Sequence, residues 1–105
     1  MGVSVLSGKA QFFELIASDD VTIIEFWATW CGPCRIIAPV FEKLSETTSG
    51  PKFYKVDADQ EEEISQEAGV RAMPTFMAFK DGEKVGELVG ANPQKLMELV
   101  GQFAS

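Results

Sequence analysis

The chain has two cysteines, Cys31 and Cys34, in the stretch Trp30-Cys31-Gly32-Pro33-Cys34. A strand-like run, Val21 to Ala28, leads into the pair, and a helix-like run, Arg35 to Leu44, leads out. Two thiols at a strand-to-helix turn suit dithiol–disulfide exchange. The thiolate is the reactive form, and a helix N-terminus stabilises it through unpaired N–H groups and the helix dipole. Cys31 stands just ahead of the helix and gains most, so helix-start placement and exposure predict that it is more thiolate-like than Cys34. Gly32 lets the backbone turn tightly, and Pro33 suits the first helical position, where no N–H is needed. Residues three apart share one side of a helical turn, which lets the sulfurs meet. The alternatives are a structural disulfide and a metal site. A structural disulfide closing so short a loop contributes only about 2 kcal/mol by chain entropy. Two cysteines without histidine leave the usual four-ligand zinc set incomplete unless carboxylates or a second chain join it. The strand-turn-helix context favours redox chemistry over both.

A second residue of chemical interest precedes the pair. Val21 to Ala28 is apolar on both faces, which marks a central strand covered on both sides. Alternation puts Val21, Ile23, Glu25 and Trp27 on one face. Glu25 is therefore expected to be a buried, functional carboxyl. Burial disfavours its charged form and should raise its pKa, and Lys55, if near, would oppose the rise.

The remaining sequence bounds the setting. Its 105 residues are enough for one domain, read here as residues 1–105, with a single core. With 46% apolar and 24% charged residues, the composition is that of an ordinary globule. A net charge of −7 argues against nucleic acid and anionic membranes as partners. The absence of histidine excludes Cys–His dyads and histidine metal sites, and no metal or cofactor is expected. Met1 to Leu6 has neither a basic start nor a long apolar run, so no signal peptide is expected there. It also lacks the Ser or Thr of a myristoylation signal. No run reaches the roughly 18 apolar residues of a membrane span. The expected compartment is the cytosol, where a cysteine pair is more often catalytic than structural.

Taken in order, Val3 to Leu6 could form a short edge strand. Ser7 is the expected N-cap of a helix from about Gly8 to Ala17, with Phe12, Phe13, Leu15 and Ile16 at helical spacing. The helix after the cysteines should face the core with Ile36, Ile37, Val40, Phe41 and Leu44, and Pro39 lies inside it. Ser49-Gly50-Pro51 stops it. Lys52 to Ala58 reads as a strand, with Phe53, Lys55 and Asp57 on one face. Asp59 with Glu62 resembles a capping box for a mostly exposed helix whose stripe is Ile64 and Ala68, closed by Gly69. Phe76 to Phe79 and Lys84 to Val89 are strands joined by an Asp81-Gly82 hairpin. Asn92-Pro93 opens a last helix as N-cap and first residue, with Leu96, Met97, Leu99, Val100 and Phe103 as its stripe. The resulting order, βαβαβαββα, implies a layered α/β sheet with helices on both faces.

Phe26-Trp27-Ala28-Thr29-Trp30-Cys31-Gly32-Pro33-Cys34 resembles the active-site segment of the thioredoxin family, in particular its cytosolic, eukaryotic members. Ala72-Met73-Pro74-Thr75 resembles the family's second landmark and Val89-Gly90-Ala91-Asn92 its third. The resemblance spans the whole chain in the right order. It implies a thioredoxin-like three-layer sandwich, α/β, with a mixed five-stranded sheet and four helices. It implies that Pro74 packs beside the cysteines after a cis Met73–Pro74 bond. The implied activity is general protein-disulfide reduction, with Cys31 attacking, Cys34 resolving and Glu25 accepting the proton of Cys34. Gly32, Pro33, Lys55 and Pro74 are implied to tune the pair. Trp30, Met73, Val89, Gly90 and Ala91, together with Gly32, Pro33 and Pro74, are implied to form an apolar client-binding rim. Lys55 matches a lysine near the buried acid in some members; by position alone it is equally a solvated strand lysine. The implied partners are disulfide-containing client proteins and an NADPH-dependent flavoprotein thioredoxin reductase, and the implied state is a monomer. Rival readings are an oxidant or isomerase of the same fold and a redox-independent client-binding module. Two positions depart from the family pattern: Glu25 where Asp is usual, and Arg35 where Lys is commoner. Ala72 stands where some animal members carry an additional cysteine.

Overall fold

The computed structural model describes residues 2–105; Met1, part of the leader reading above, lies outside them. Along the chain come β1 (Val3–Val5), α1 (Lys9–Ile16), β2 (Thr22–Trp27), α2 (Gly32–Thr47), β3 (Lys52–Asp57), α3 (Glu62–Ala68), β4 (Thr75–Lys80), β5 (Glu83–Val89) and α4 (Pro93–Gly101). This is the expected order, and the strands form one mixed five-stranded sheet in the order β1-β3-β2-β4-β5. β1 and β2 run parallel to β3, whereas β2–β4 and β4–β5 are antiparallel. The two-faced apolar run is thus the middle strand, hydrogen-bonded on both edges.

Alternation along β2 sorts its side chains into two cores. Ile24 and Phe26 pack with Phe12 and Ile16 of α1 and Ile64 of α3. Ile23 packs on the other side with Ile37 and Phe41 of α2 and Leu96, Leu99 and Val100 of α4. The helices therefore form the outer layers in pairs, α1 with α3 and α2 with α4. Glu25, two residues from Ile23, lies on the α2 side.

Local signals explain several junctions. Asp81 and Gly82 both have positive φ, 53° and 82°, as a tight two-residue hairpin turn requires. Gly69 ends α3 in the left-handed conformation, and Asn92 accepts the Lys95 N–H at the start of α4. A Cβ on Gly86 would come within 2.8 Å of Leu99 Cδ1, so this glycine lets α4 lie close against β5.

Other expectations need correction. α1 is capped by Gly8 rather than Ser7, with no side-chain cap. The Ser7 and Gly8 N–H groups donate to the side chains of Gln11 and Glu61 instead. The Asp59–Glu62 capping box is absent: Glu61 is the N-cap, without a side-chain bond. α2 is longer than expected, beginning at Gly32 and passing through Pro39. Ile36 and Met97 are not core residues; they are 75% and 50% exposed. Helical spacing placed them on apolar stripes, but α2 and α4 cover only part of each stripe.

The Asn92 cap allows a direct check. Asn92→Ala should cost about 1 kcal/mol of stability, and Asn92→Asp should retain most of it. Urea unfolding of the three proteins measures this, and equal midpoints would mean that the cap contributes nothing.

Candidate active site

Cys31 is the N-cap residue of α2 in extended conformation, followed by Gly32 and by Pro33 in the first turn. Its own N–H donates to Ala28 O, which folds the end of β2 back toward the helix. Cys31 and Cys34 are joined as a disulfide, with Cα atoms 5.3 Å apart. The Cys34 N–H donates to Cys31 Sγ at 3.1 Å. The sulfur of Cys31 thus occupies the place of a capping acceptor, where negative charge is favoured once the bond is reduced. The expected exposure of Cys31 is a correction: it is only 3% exposed, as is Cys34, because Trp27, Ala28 and Met73 pack around the pair. Its distinction from Cys34 rests on its position at the helix end.

Cys34 faces the other way, into a cavity of about 170 Å³ that it shares with Glu25, Trp27, Thr29, Arg35, Ala38 and Lys55. Glu25 is 3% exposed and its Oε2 has no hydrogen-bond partner. Burial pushes its pKa up to about 7; Lys55 pulls it down and Glu42 adds a smaller upward push. The open question over Lys55 resolves to a half-buried residue. Parallel register sets it opposite Glu25, and its Nζ lies 6.0 Å from the centre of the Trp27 ring. Among the described residues it makes no ion pair within 4 Å of Glu25. Arg35 also lines this cavity, and its Nη2 donates to Thr29 O at 2.7 Å, tying the helix start to the loop before it.

Of the expected rim residues, Met73 packs directly against the cysteine pair and Trp30 adjoins it in sequence. The Met73–Pro74 bond is cis, Met73 touches the cysteine cluster, and Pro74 is buried. The Gly90 N–H donates to Pro74 O at 2.9 Å, and Val89 pairs with Thr75 across β4–β5. Ala91 is partly buried against the α2–α4 core. Trp30 and Val89 are 66% and 59% exposed. Sequence reasoning missed Asp59, whose Oδ2 accepts the Trp30 indole N–H at 2.9 Å. Asp57 sets up that contact by accepting the N–H groups of Asp59 and Gln60. The Asp57-Ala58-Asp59 turn after the strand was the available signal.

A disulfide that only braced the fold would have no use for a helix end behind one sulfur and an unpaired carboxyl behind the other. This pair has both, and that defines a thiol–disulfide oxidoreductase. Known proteins agree. The family model described as Thioredoxin matches residues 3–102. A thioredoxin from Malassezia sympodialis is 51% identical, over 98% of this chain and 100% of its own length. Thioredoxin-1 of Schizosaccharomyces pombe is also 51% identical, over 90% of this chain and 91% of its own. The crystal structure of Malassezia sympodialis thioredoxin superposes with a TM-score of 0.96 at 49% identity, covering 100% of this chain and 94% of that one. The chain belongs to the thioredoxin family. It is a protein-disulfide reductase, and its substrates are disulfides. Among the described residues, no helix is long and apolar enough to cross a membrane.

The buried carboxyl gives a pH-dependent stability prediction. An acid whose pKa is higher in the folded than in the unfolded chain favours the native state fully below the unfolded value. That advantage is lost as pH rises to the folded value. For Glu25 the window runs from about 4.5 to about 7. Relative to Glu25→Gln, the wild-type chain should lose roughly 1.4 kcal/mol per pH unit across that window and nothing more above it. Chemical denaturation of both proteins from pH 4 to 9 measures the difference, and a pH-independent gap would contradict it.

Proposed function

We propose that Cys31 is the attacking thiolate, Cys34 the resolving thiol and Glu25 the proton acceptor of a general protein-disulfide reductase. In the reduced chain, Cys31 Sγ attacks one sulfur of a client disulfide. A mixed disulfide forms, and the other client sulfur leaves as thiolate. Cys34 then gives its proton to Glu25, directly or through a water in the shared cavity, and attacks Cys31 Sγ. The second client thiolate leaves, and the Cys31–Cys34 disulfide remains. Two electrons have passed to the client. Gly32, Pro33, Lys55 and Pro74 tune the pair. Trp30, Met73, Val89, Gly90 and Ala91 receive the client, the backbone of Met73 pairing with an extended client segment. The NADPH-dependent flavoprotein thioredoxin reductase is the proposed source of new electrons. We read residues 1–105 as one domain, monomeric and cytosolic; the single five-stranded sheet and the family match across residues 3–102 support the domain reading.

The observation that carries the assignment is the asymmetry of the two sulfurs. Cys31 Sγ accepts a backbone N–H at the start of α2, whereas Cys34 opens on the Glu25 cavity. A group with a pKa of about 7 can exchange a proton near neutral pH, where an ordinary glutamate stays ionised.

Alkylation of the reduced chain at neutral pH should label Cys31 before Cys34. Cys34→Ser should trap clients as mixed disulfides, and Cys31→Ser should trap none. Equal labelling of the two thiols would contradict the role assignment.

Stopped-flow kinetics separate the two chemical steps. In Glu25→Gln the first attack should proceed near the wild-type rate, while resolution slows by roughly tenfold. That is less than the usual 100-fold loss of a general base, because thiolate forms unaided to some extent. Wild-type resolution in this variant across pH 6 to 9 would reduce Glu25 to a tolerated core carboxyl.

A further inference from the structure

The most exposed large apolar side chain among the described residues is Ile36, on the outer face of the active-site helix. Exposed apolar residues standing singly are ordinary. Ile36 is not single. It follows Gly32 and Pro33 at helical spacing and precedes Pro39 and Val40 at the same spacing, so these residues form one ridge along α2. The ridge ends in an open groove of about 360 Å³ between α2 and α4, lined by Pro39, Val40, Leu44 and the half-exposed Met97, with Lys43 and Thr47 completing the wall. The upper end of the ridge is the disulfide itself, which every client must touch.

We infer that this ridge and groove extend the client contact, and that their occupant is an extended segment of the disulfide client bearing apolar side chains two and four residues from its reacting cysteine. This rests on the role of Cys31 proposed above. The spacing follows from helix geometry. Ile36 lies five residues beyond Cys31, about 7 Å along the axis, and Val40 nine residues beyond, about 13 Å. An extended chain advances about 3.3 Å per residue, so its second and fourth residues reach these points. Those two side chains project from the same face of an extended strand, so both can turn toward α2 while the intervening residue points to solvent. A helical client segment would need about nine residues for the same span, and the test below separates the two by spacing.

The test compares two disulfide-linked peptide dimers. In one, leucine occupies the second and fourth positions on both sides of the cysteine; in the other, asparagine replaces each leucine. Pre-reduced protein is mixed with each dimer and the single-turnover rate constant is measured. The wild-type chain should reduce the leucine dimer about tenfold faster. Ile36→Ser and Met97→Ser should each shrink that ratio several-fold, and the double variant should bring it close to one. Both side chains are exposed, so neither substitution opens the core. A third dimer, with the leucines moved to the third and fifth positions, should be reduced no faster than the asparagine dimer. Equal reduction of the leucine and asparagine dimers by the wild type, a ratio unchanged in the double variant, or an equal advantage for the third dimer would overturn the docking inference while leaving the roles of the cysteines standing. Failure of the wild-type chain to reduce any dimer would overturn both.

Discussion

β2 is covered on both faces and hydrogen-bonded along both edges, so all its side chains except the half-buried Trp27 at its end are buried. Its side chains must fit one of two apolar layers: the Thr22 hydroxyl does so by donating to Leu15 O, whereas Glu25 Oε2 finds no partner. The carboxyl is held on the α2 side, opposite Lys55 on β3 and Phe76 on β4. The strand then ends abruptly. The Cys31 N–H bonds back to Ala28, and the next residues begin α2 over the same core. The position of the disulfide above the buried carboxyl follows from this one crowded strand and the short turn after it.

The chemistry uses the discomfort that results. An acid with an unpaired oxygen in an apolar layer holds its proton to higher pH than one in water. Lys55 moderates this without forming an ion pair, leaving the carboxyl poised near neutrality rather than locked in either state. The helix end acts in the opposite sense on Cys31, favouring charge. Burial beside one sulfur and backbone dipoles beside the other separate two chemically identical thiols. This is a general way to give one residue type two roles.

What was legible in the sequence was local or strictly periodic. The two-sided apolar run from Val21 to Ala28 identified the central strand and the burial of Glu25. Asp81-Gly82 and Asn92-Pro93 identified a turn and a helix start, because the backbone conformations needed there depend on one or two residues. Capping at Ser7 and Asp59 was misread because tertiary partners replaced local ones: Glu61 reaches the start of α1, and the Trp30 indole takes Asp59. Ile36 and Met97 fit their helical stripes, but periodicity states only which way a side chain points, not how far the neighbouring layer extends. The burial of Cys31 depends on Met73, forty-two residues away, and no local pattern carried it.

α2 therefore serves two masters. Its inner side, Cys34, Ile37 and Phe41, is fixed by the sheet beneath it, and a change there disturbs fold and redox centre together. Its outer side, at Ile36 and Pro39, is exposed. Substitutions along that outer side are nearly free of folding consequences, so descendants of this sequence can drift there, and partner preference can diverge after gene duplication while the electron-transfer machinery is inherited intact.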